Sequence, residues 1–233
     1  DFEFPNPTHG QTEKTSGSDV KLEPLRTAWD AIGDLPALPN EDGLEARGKW
    51  AELLPSIPEG QNYLWHTNRG GGEPLFGWRT RFWSFLLKLR KDQPSWTIQA
   101  QPGPATGPFH WCNRKLSVQE LCRLQTFPEG LVFGCSRNEA QRLLGNAVPS
   151  LLAEVLANSI REQLLDDAPR TQTLNLLPPV RKPVPSCEPT APVAKKYLMY
   201  LGNHEDHPGN GNGIRARQRK ASQPHSDVVE TTM

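Results

Sequence analysis

Arg79, Arg81, Lys88, Arg90 and Lys91 fall close together and flank Trp78 and Trp83. Cations at that density can grip successive phosphates along a nucleic-acid groove, although a solvated helix face would use the same residues. Arg69 precedes Gly70, Gly71 and Gly72. Glycine lets a backbone approach a duplex closely, and arginine bidentate to guanine is the commonest specific base contact; a plain flexible turn is the simpler reading. Asn146 and Ala147 stand just ahead of a helix start, where uncommitted backbone N–H groups attract an anion, or where a turn merely links two helices.

His110 and Cys112 form an H-x-C pair, too sparse a signal for a metal site, so no metal is expected. The four cysteines, at 112, 122, 135 and 187, include no CxxC, which argues against a zinc knuckle or a disulfide framework and for a reducing intracellular compartment. GNGNG at 209–213 lacks the strand–helix setting of a phosphate loop.

The elements that must position these groups are readable in part. Thr27 with Asp30 resembles a capping box, with Gly33 as the stop of a short helix. Residues 81–91 put Phe82, Phe85, Leu86 and Leu89 at helical spacing, predicting one buried stripe. Ser117 with Glu120 is a second box, with Leu116 placed to staple Leu121 and Pro128 bounding the element. Ser136 with Glu139 is a third, ended by Gly145, and Pro149 suits the first turn of another helix. Leu152, Val155, Leu156, Ile160 and Leu164 form that helix's apolar stripe. SWTIQA at 95–100 has strand-like composition, and 34–78 reads as irregular loops.

The 233 residues suffice for one full domain or two small ones. Lys+Arg 26 against Asp+Glu 26 leaves no global basic field to announce a nucleic-acid binder. A hydrophobic content of 36% and mean hydropathy of -0.62 suit a limited core with some unstructured length. No apolar run approaches the ~18 residues a membrane helix needs, and the polar amino end is no signal peptide. No internal repeat is visible. From Asp166 onward no helical or strand period is sustained, so 166–233 reads as a linker or disordered tail, with YLMYL (197–201) able to dock as a short strand.

The run NRKLSVQELCRLQTFP (113–128) resembles the ninth sequence block of DNA (cytosine-5)-methyltransferases, roughly R-x-L-T/S-x-x-E-x-x-R-L-Q-x-F-P. GNAVP (145–149) resembles their tenth and last block, in the right order and spacing. Phe4-Pro-x-Pro-Thr-His9 is similar to the segment after the eighth block, and Trp29-Asp-Ala-Ile-x-Asp-Leu-Pro36 to the lead into target recognition. Together these span about 1–165. The F-x-G-x-G cofactor loop, the Pro-Cys-Gln nucleophile and Glu-Asn-Val are absent; the cysteines follow Trp111, Leu121, Gly134 and Ser186.

Enzymes of this family add a thiolate to C6 of cytosine so that C5 can attack the methyl of S-adenosylmethionine, after flipping the base out of the duplex. The resemblance implies that this chain holds the carboxy-terminal portion of such an enzyme of bacterial type, cytoplasmic or nucleoid-associated, within restriction–modification. The implied fold is an α+β fragment: an irregular, β-containing target-recognition domain plus closing helices of a Rossmann-like, S-adenosylmethionine-dependent domain. The expected division is 1–20 connector, 21–110 target recognition, 111–165 closing helices and 166–233 tail. Arg69, Arg79, Arg81, Thr97 and Arg114 are then the expected DNA-binding residues, Arg114 also bracing the two domains, and Asn146 and Ala147 line the cofactor pocket. No catalytic residue is expected in the chain. Its partners would be double-stranded DNA and an amino-terminal catalytic half, with no membrane. A natural subunit of a split enzyme and a non-catalytic DNA-binding module are the alternatives.

Overall fold

The computed structural model describes residues 1–10, 22–36, 43–76, 81–165 and 174–202. The chain is mixed α and β. β1 (His9–Gly10) pairs in parallel with β2 (Glu23–Pro24), followed by α1 (Ala28–Ile32), α2 (Val118–Leu124), α3 (Arg137–Asn146) and α4 (Ser150–Leu164). Short 3-10 turns cover Ala51–Ser56, Tyr63–His66 and Lys195–Tyr200.

Two expected capping boxes form in full. Thr27 Oγ1 accepts from Asp30 N at 3.1 Å while Asp30 Oδ2 accepts from Thr27 N at 2.8 Å. Ser117 and Glu120 do the same at 3.2 and 2.8 Å. Ser136 caps α3 from one side only, because the Glu139 carboxylate is drawn to Arg142. α3 runs through Gly145 to Asn146 instead of ending there. The glycine serves packing: a Cβ would fall 2.4 Å from Ala100 N, so only glycine lets α3 lie on that backbone.

Two hydrophobic clusters share a wall. The helical cluster joins Ala28 and Ile32 of α1, Leu121 of α2 and Leu144 of α3 to Leu89, Ile98 and Trp111. The aromatic cluster joins Leu53, Ile57, Tyr63, Phe76, Phe85, Leu86 and Phe109 to Tyr197. They do not divide at residue 110, since α1 packs with α2 across that boundary.

The helix expected over 81–91 is absent. Phe85 to Leu89 are buried consecutively, and Phe82 is 55% exposed. The reason is that clusters press on both sides of this segment, so an unbroken buried run mimicked helical spacing. Its backbone instead bonds to distant partners: Leu86 N to Ala105 O at 2.9 Å, Leu89 N to Phe109 O at 2.8 Å and Phe109 N to Leu87 O at 2.8 Å. Leu86 at φ 53° breaks any regular ladder, leaving isolated bridges Phe85–Thr106 and Lys88–Phe109. SWTIQA likewise runs without an assigned strand, burying only Ile98.

For residues 174–202 of the expected 166–233 tail there is a second correction; 166–173 and 203–233 lie outside the described residues. Residues 174–202 lie as a strap over both clusters. Leu176 N donates to Glu154 of α4, Arg181 N to Asp30 Oδ1 at 2.7 Å, Glu188 N to Glu59 Oε1 at 2.7 Å and Ala191 N to Pro55 O at 3.0 Å. Of YLMYL, Tyr197 to Tyr200 lie in the Lys195–Tyr200 turn and Leu201 follows it, so the patch docks as a turn, not as a strand. Tyr197 stacks on Trp50 at 5.5 Å and 18°. Low hydrophobicity did not prevent order because charged hydrogen bonds and one buried ring anchor a proline-stiffened chain. The GNGNG run lies outside the described residues.

By length and composition, Arg137–Leu164 taken as one span would be apolar enough to cross a membrane. The break at Ala147–Pro149 divides it into helices of 10 and 15 residues, each short of the ~20 that a span needs.

Candidate nucleic-acid interface

The basic stretch separates into buried and exposed members. Lys88 Nζ donates to Ile57 O at 2.6 Å and Asn113 Oδ1 at 2.8 Å, and burial pushes its pKa down to about 8. Lys91 Nζ donates to Glu59 at 2.8 Å and to Glu188 of the strap at 3.0 Å. Arg90 pairs with Asp92. Lys88 and Lys91 therefore hold the scaffold together and offer no phosphate grip. Arg79 and Trp78 lie outside the described residues.

Arg81 is exposed, its guanidinium 5.5 Å from the Phe85 ring centre. Beside it in sequence, Phe82 and Trp83 are also exposed. Trp83 meets Trp96 edge to face at 5.6 Å, and Thr97 follows, exposed. Gln99 Nε2 donates to Ser84 Oγ at 2.8 Å, closing the same two segments together. Folding thus brings Trp83 and Trp96 into contact, with Arg81 two residues before the first ring and Thr97 directly after the second in the chain. Trp96 and Phe82 were missed by sequence reading; Trp96 sat inside a predicted strand, and Phe82 inside a predicted helix stripe.

Arg69 is exposed on the turn after Tyr63–His66. Its glycines have a packing reason: Cβ atoms on Gly71 and Gly72 would fall 2.7 and 2.6 Å from the Trp65 ring. Inside this turn His66 Nδ1 donates to Glu73 O (3.0 Å) and its Nε2 bonds with Ser56 Oγ (2.8 Å), and burial lowers its pKa.

Arg114 is a correction. It is 7% exposed and bidentate to Glu120 at 2.8 and 2.7 Å, so it braces the interior instead of reaching a DNA phosphate. Burial alone would raise the Glu120 carboxyl; hydrogen bonds from Arg114 and Ser117 N, with the His110 and Arg114 charges, outweigh it and hold it below its ordinary value. His110 faces the same carboxylate at 3.5 Å, and burial pushes its pKa to about 4. Its Nδ1 accepts from Cys112 N at 3.0 Å. Among the described residues no group of three or more His, Cys, Asp or Glu could hold a metal.

The anion reading of the α4 start also changes. Ser150 N donates to Gln125 O at 3.1 Å and Leu151 N to Thr126 Oγ1 at 2.8 Å, so two first-turn donors are committed. Asn146 is exposed and Ala147 half-buried.

Residues 80–162 match the family C-5 cytosine-specific DNA methylase. The type II methyltransferase M.SacI of Streptomyces achromogenes is 44% identical over 174 residues, covering 70% of this chain and 44% of that protein. M.NgoFVII of Neisseria gonorrhoeae is 34% identical, covering 69% of this chain and 41% of its own length, and M.BbvI of Brevibacillus brevis is 30% identical, covering 68% and 40%. The chain belongs to the C-5 cytosine-specific DNA methylase family. It spans less than half the length of these curated relatives. No solved structure matches the chain.

In this methylase-family chain the two sequence blocks are one tied unit. Arg114, Ser117 and Glu120 fix the start of α2. Gln125 joins the blocks: its Nε2 donates to Leu144 O at 2.8 Å at the end of α3, and its own carbonyl receives Ser150 N of α4. Thr126, at φ 56°, turns its hydroxyl to Leu151 N. The motif residues Glu120 and Gln125 were visible as letters of a pattern, but their partners were not.

Proposed function

We propose that this chain is the target-recognition and carboxy-terminal portion of a DNA (cytosine-5)-methyltransferase, an enzyme that moves methyl from S-adenosylmethionine to C5 of cytosine in a specific duplex sequence. The observation that carries this reading is the framework joined at Gln125, which leaves two surfaces uncovered. One carries the exposed Trp83–Trp96 pair, suited to a nucleic acid by its rings and by Arg81 close by in sequence. The other is the side of α4 bearing Leu152, Ile160 and Leu164, all exposed although apolar.

An apolar stripe of this kind marks a missing partner surface. Here it suits the sheet domain of the catalytic half, on the same or a separate chain, which would complete the Rossmann-like fold and carry the Pro-Cys nucleophile. Residues 43–109 with the strap are the proposed recognition unit, and Arg69, Arg81 and Thr97 are its proposed DNA contacts. Arg79 adjoins Arg81 in sequence and is proposed with them.

Asn146 and Ala147 fit the edge of a cofactor pocket through the exposed Asn146 carboxamide, a hydrogen-bonding group at the end of α3. The two committed N–H groups of α4 do not fit an anion cradle. S-adenosylmethionine supplies the electrophilic methyl when bound. This chain's residues grip and orient the duplex, while thiolate chemistry belongs to the other half. Type II relatives suit a place in bacterial restriction–modification, in the cytoplasm.

The test is transfer of labelled methyl from S-adenosylmethionine to duplex DNA, first by this chain alone and then after mixing with a chain bearing the Pro-Cys-Gln block. No transfer alone and transfer on mixing is the expected result. Transfer by this chain alone would overturn the division of labour. Duplex binding without transfer on mixing would make it a non-catalytic binding module.

A further inference from the structure

Of the six tryptophans among the described residues, two are largely uncovered. Trp83 is 52% and Trp96 42% exposed. Trp111 is buried in the helical cluster, Trp29 packs against it, and Trp50 and Trp65 pack on the aromatic cluster. Large apolar rings left in water on a folded surface mark an interaction site.

The backbone beneath the exposed pair is held on several sides. Asn62 Nδ2 donates to Trp83 O at 2.8 Å, and Gly107 N donates to Ser84 O at 2.8 Å. Gln99 ties Trp96's segment to Ser84, and Ile98 anchors that segment in the helical cluster. Two half-exposed rings on a fixed base make a rigid projection. Arg81, exposed, lies two residues before one ring, and Thr97, also exposed, directly follows the other, so a cation and a hydroxyl stand within short reach along the chain.

We propose that Trp83 and Trp96 form an aromatic wedge that contacts bases of duplex DNA, pressing into a groove against a base step, with Arg81 holding a neighbouring phosphate. This rests on the DNA-recognition reading above. The cation selects a polyanionic partner, and the rings need a flat apolar surface that phosphate gripping alone would not use. The wedge would make recognition sensitive to how readily a step opens, so its specificity is read partly as DNA deformability.

The experiment enriches duplexes from a randomised pool with the 233-residue chain, then measures affinity for the winning sequence against salt. Trp83→Ala and Trp96→Ala are each expected to weaken binding about tenfold while leaving the slope of log K against log salt unchanged. Arg81→Ala should weaken binding and reduce that slope by about one. Trp83→Phe, which keeps a ring, should retain most of the affinity. 2-Aminopurine placed at the contacted step should brighten with wild-type chain and stay dim with Trp83→Ala.

Wild-type affinity in both alanine variants, with the Arg81→Ala effect intact, would overturn the wedge and leave the DNA reading standing. A reduced salt slope in the tryptophan variants would show that they disturb the phosphate contacts, which also overturns it. Failure of the wild-type chain to enrich any duplex would overturn the wedge together with the reading it rests on.

Discussion

The helical cluster draws on capped helices and a buried bidentate pair formed within six residues, Arg114 with Glu120, whereas the aromatic cluster contains no α-helix and is closed by Tyr197, bonded to Lys49 O from 148 residues away. In the first, the helix caps and the Arg114–Glu120 pair are announced nearby in the chain, although α1 meets α2 only on closure. In the second, Trp50, Phe76, Phe85 and Tyr197 meet only after the chain has closed on itself, their rings 5.1 to 6.2 Å apart around Trp50. The difference teaches that the helical cluster is seeded by local contacts, whereas the aromatic cluster rests on long-range ones.

The sharpest way to break the comparison is Arg114→Met. It strands the Glu120 carboxylate in the interior, and removing one partner of a buried pair costs about 3–5 kcal/mol. Urea unfolding should show that loss, and Glu120→Gln added to Arg114→Met should recover part of it. If Arg114→Met unfolds like wild type, the helical cluster is not held by this pair.

Next comes Tyr197→Ala, which removes a buried ring and its hydrogen bond to Lys49 O; loss of a large aromatic costs about 3 kcal/mol. Hydrogen exchange should rise in residues 44–76 and stay low in α2. Equal rises in both would mean that the two clusters unfold as one unit, and the comparison would need redrawing.

The third test is pH. Burial holds His110 at about 4, against an ordinary value of 6.5. Above about 6.5 the ring is neutral in both folded and unfolded chains. As pH falls from about 6.5 to about 4, the unfolded chain binds a proton that the folded chain refuses, and stability drops by on the order of 2–3 kcal/mol. His66, also lowered by burial, acts in the same direction from within the aromatic turn. His110→Asn should flatten much of the acid-side loss in urea midpoints, leaving the His66 share. An unchanged acid slope in that variant would place the pH response elsewhere.

Legibility followed the range of the interactions. The Thr27–Asp30 and Ser117–Glu120 boxes span three residues, and both formed as read. Gly145 was legible as a special position but not in its role, because Ala100, the backbone it makes room for, lies in another segment. Arg81 with Trp83 and, separately, Thr97 were singled out, and nothing in the spacing foretold that Trp96 would meet Trp83. Lys88 and Lys91 looked like surface cations because sequence does not reveal that Ile57 O, Glu59 and Glu188 wait for them.

By itself, then, the sequence determined the starts of α1, α2 and α3 and the family framework of 113–128 and 145–149, all matters of local geometry or of residue type. The tertiary structure alone decided that 81–91 is a wall between two clusters, that Arg114 turns inward, and that 174–202 straps the molecule. Those outcomes depend on which distant groups desolvate one another on closure, and hydrophobic burial carries no record of sequence separation.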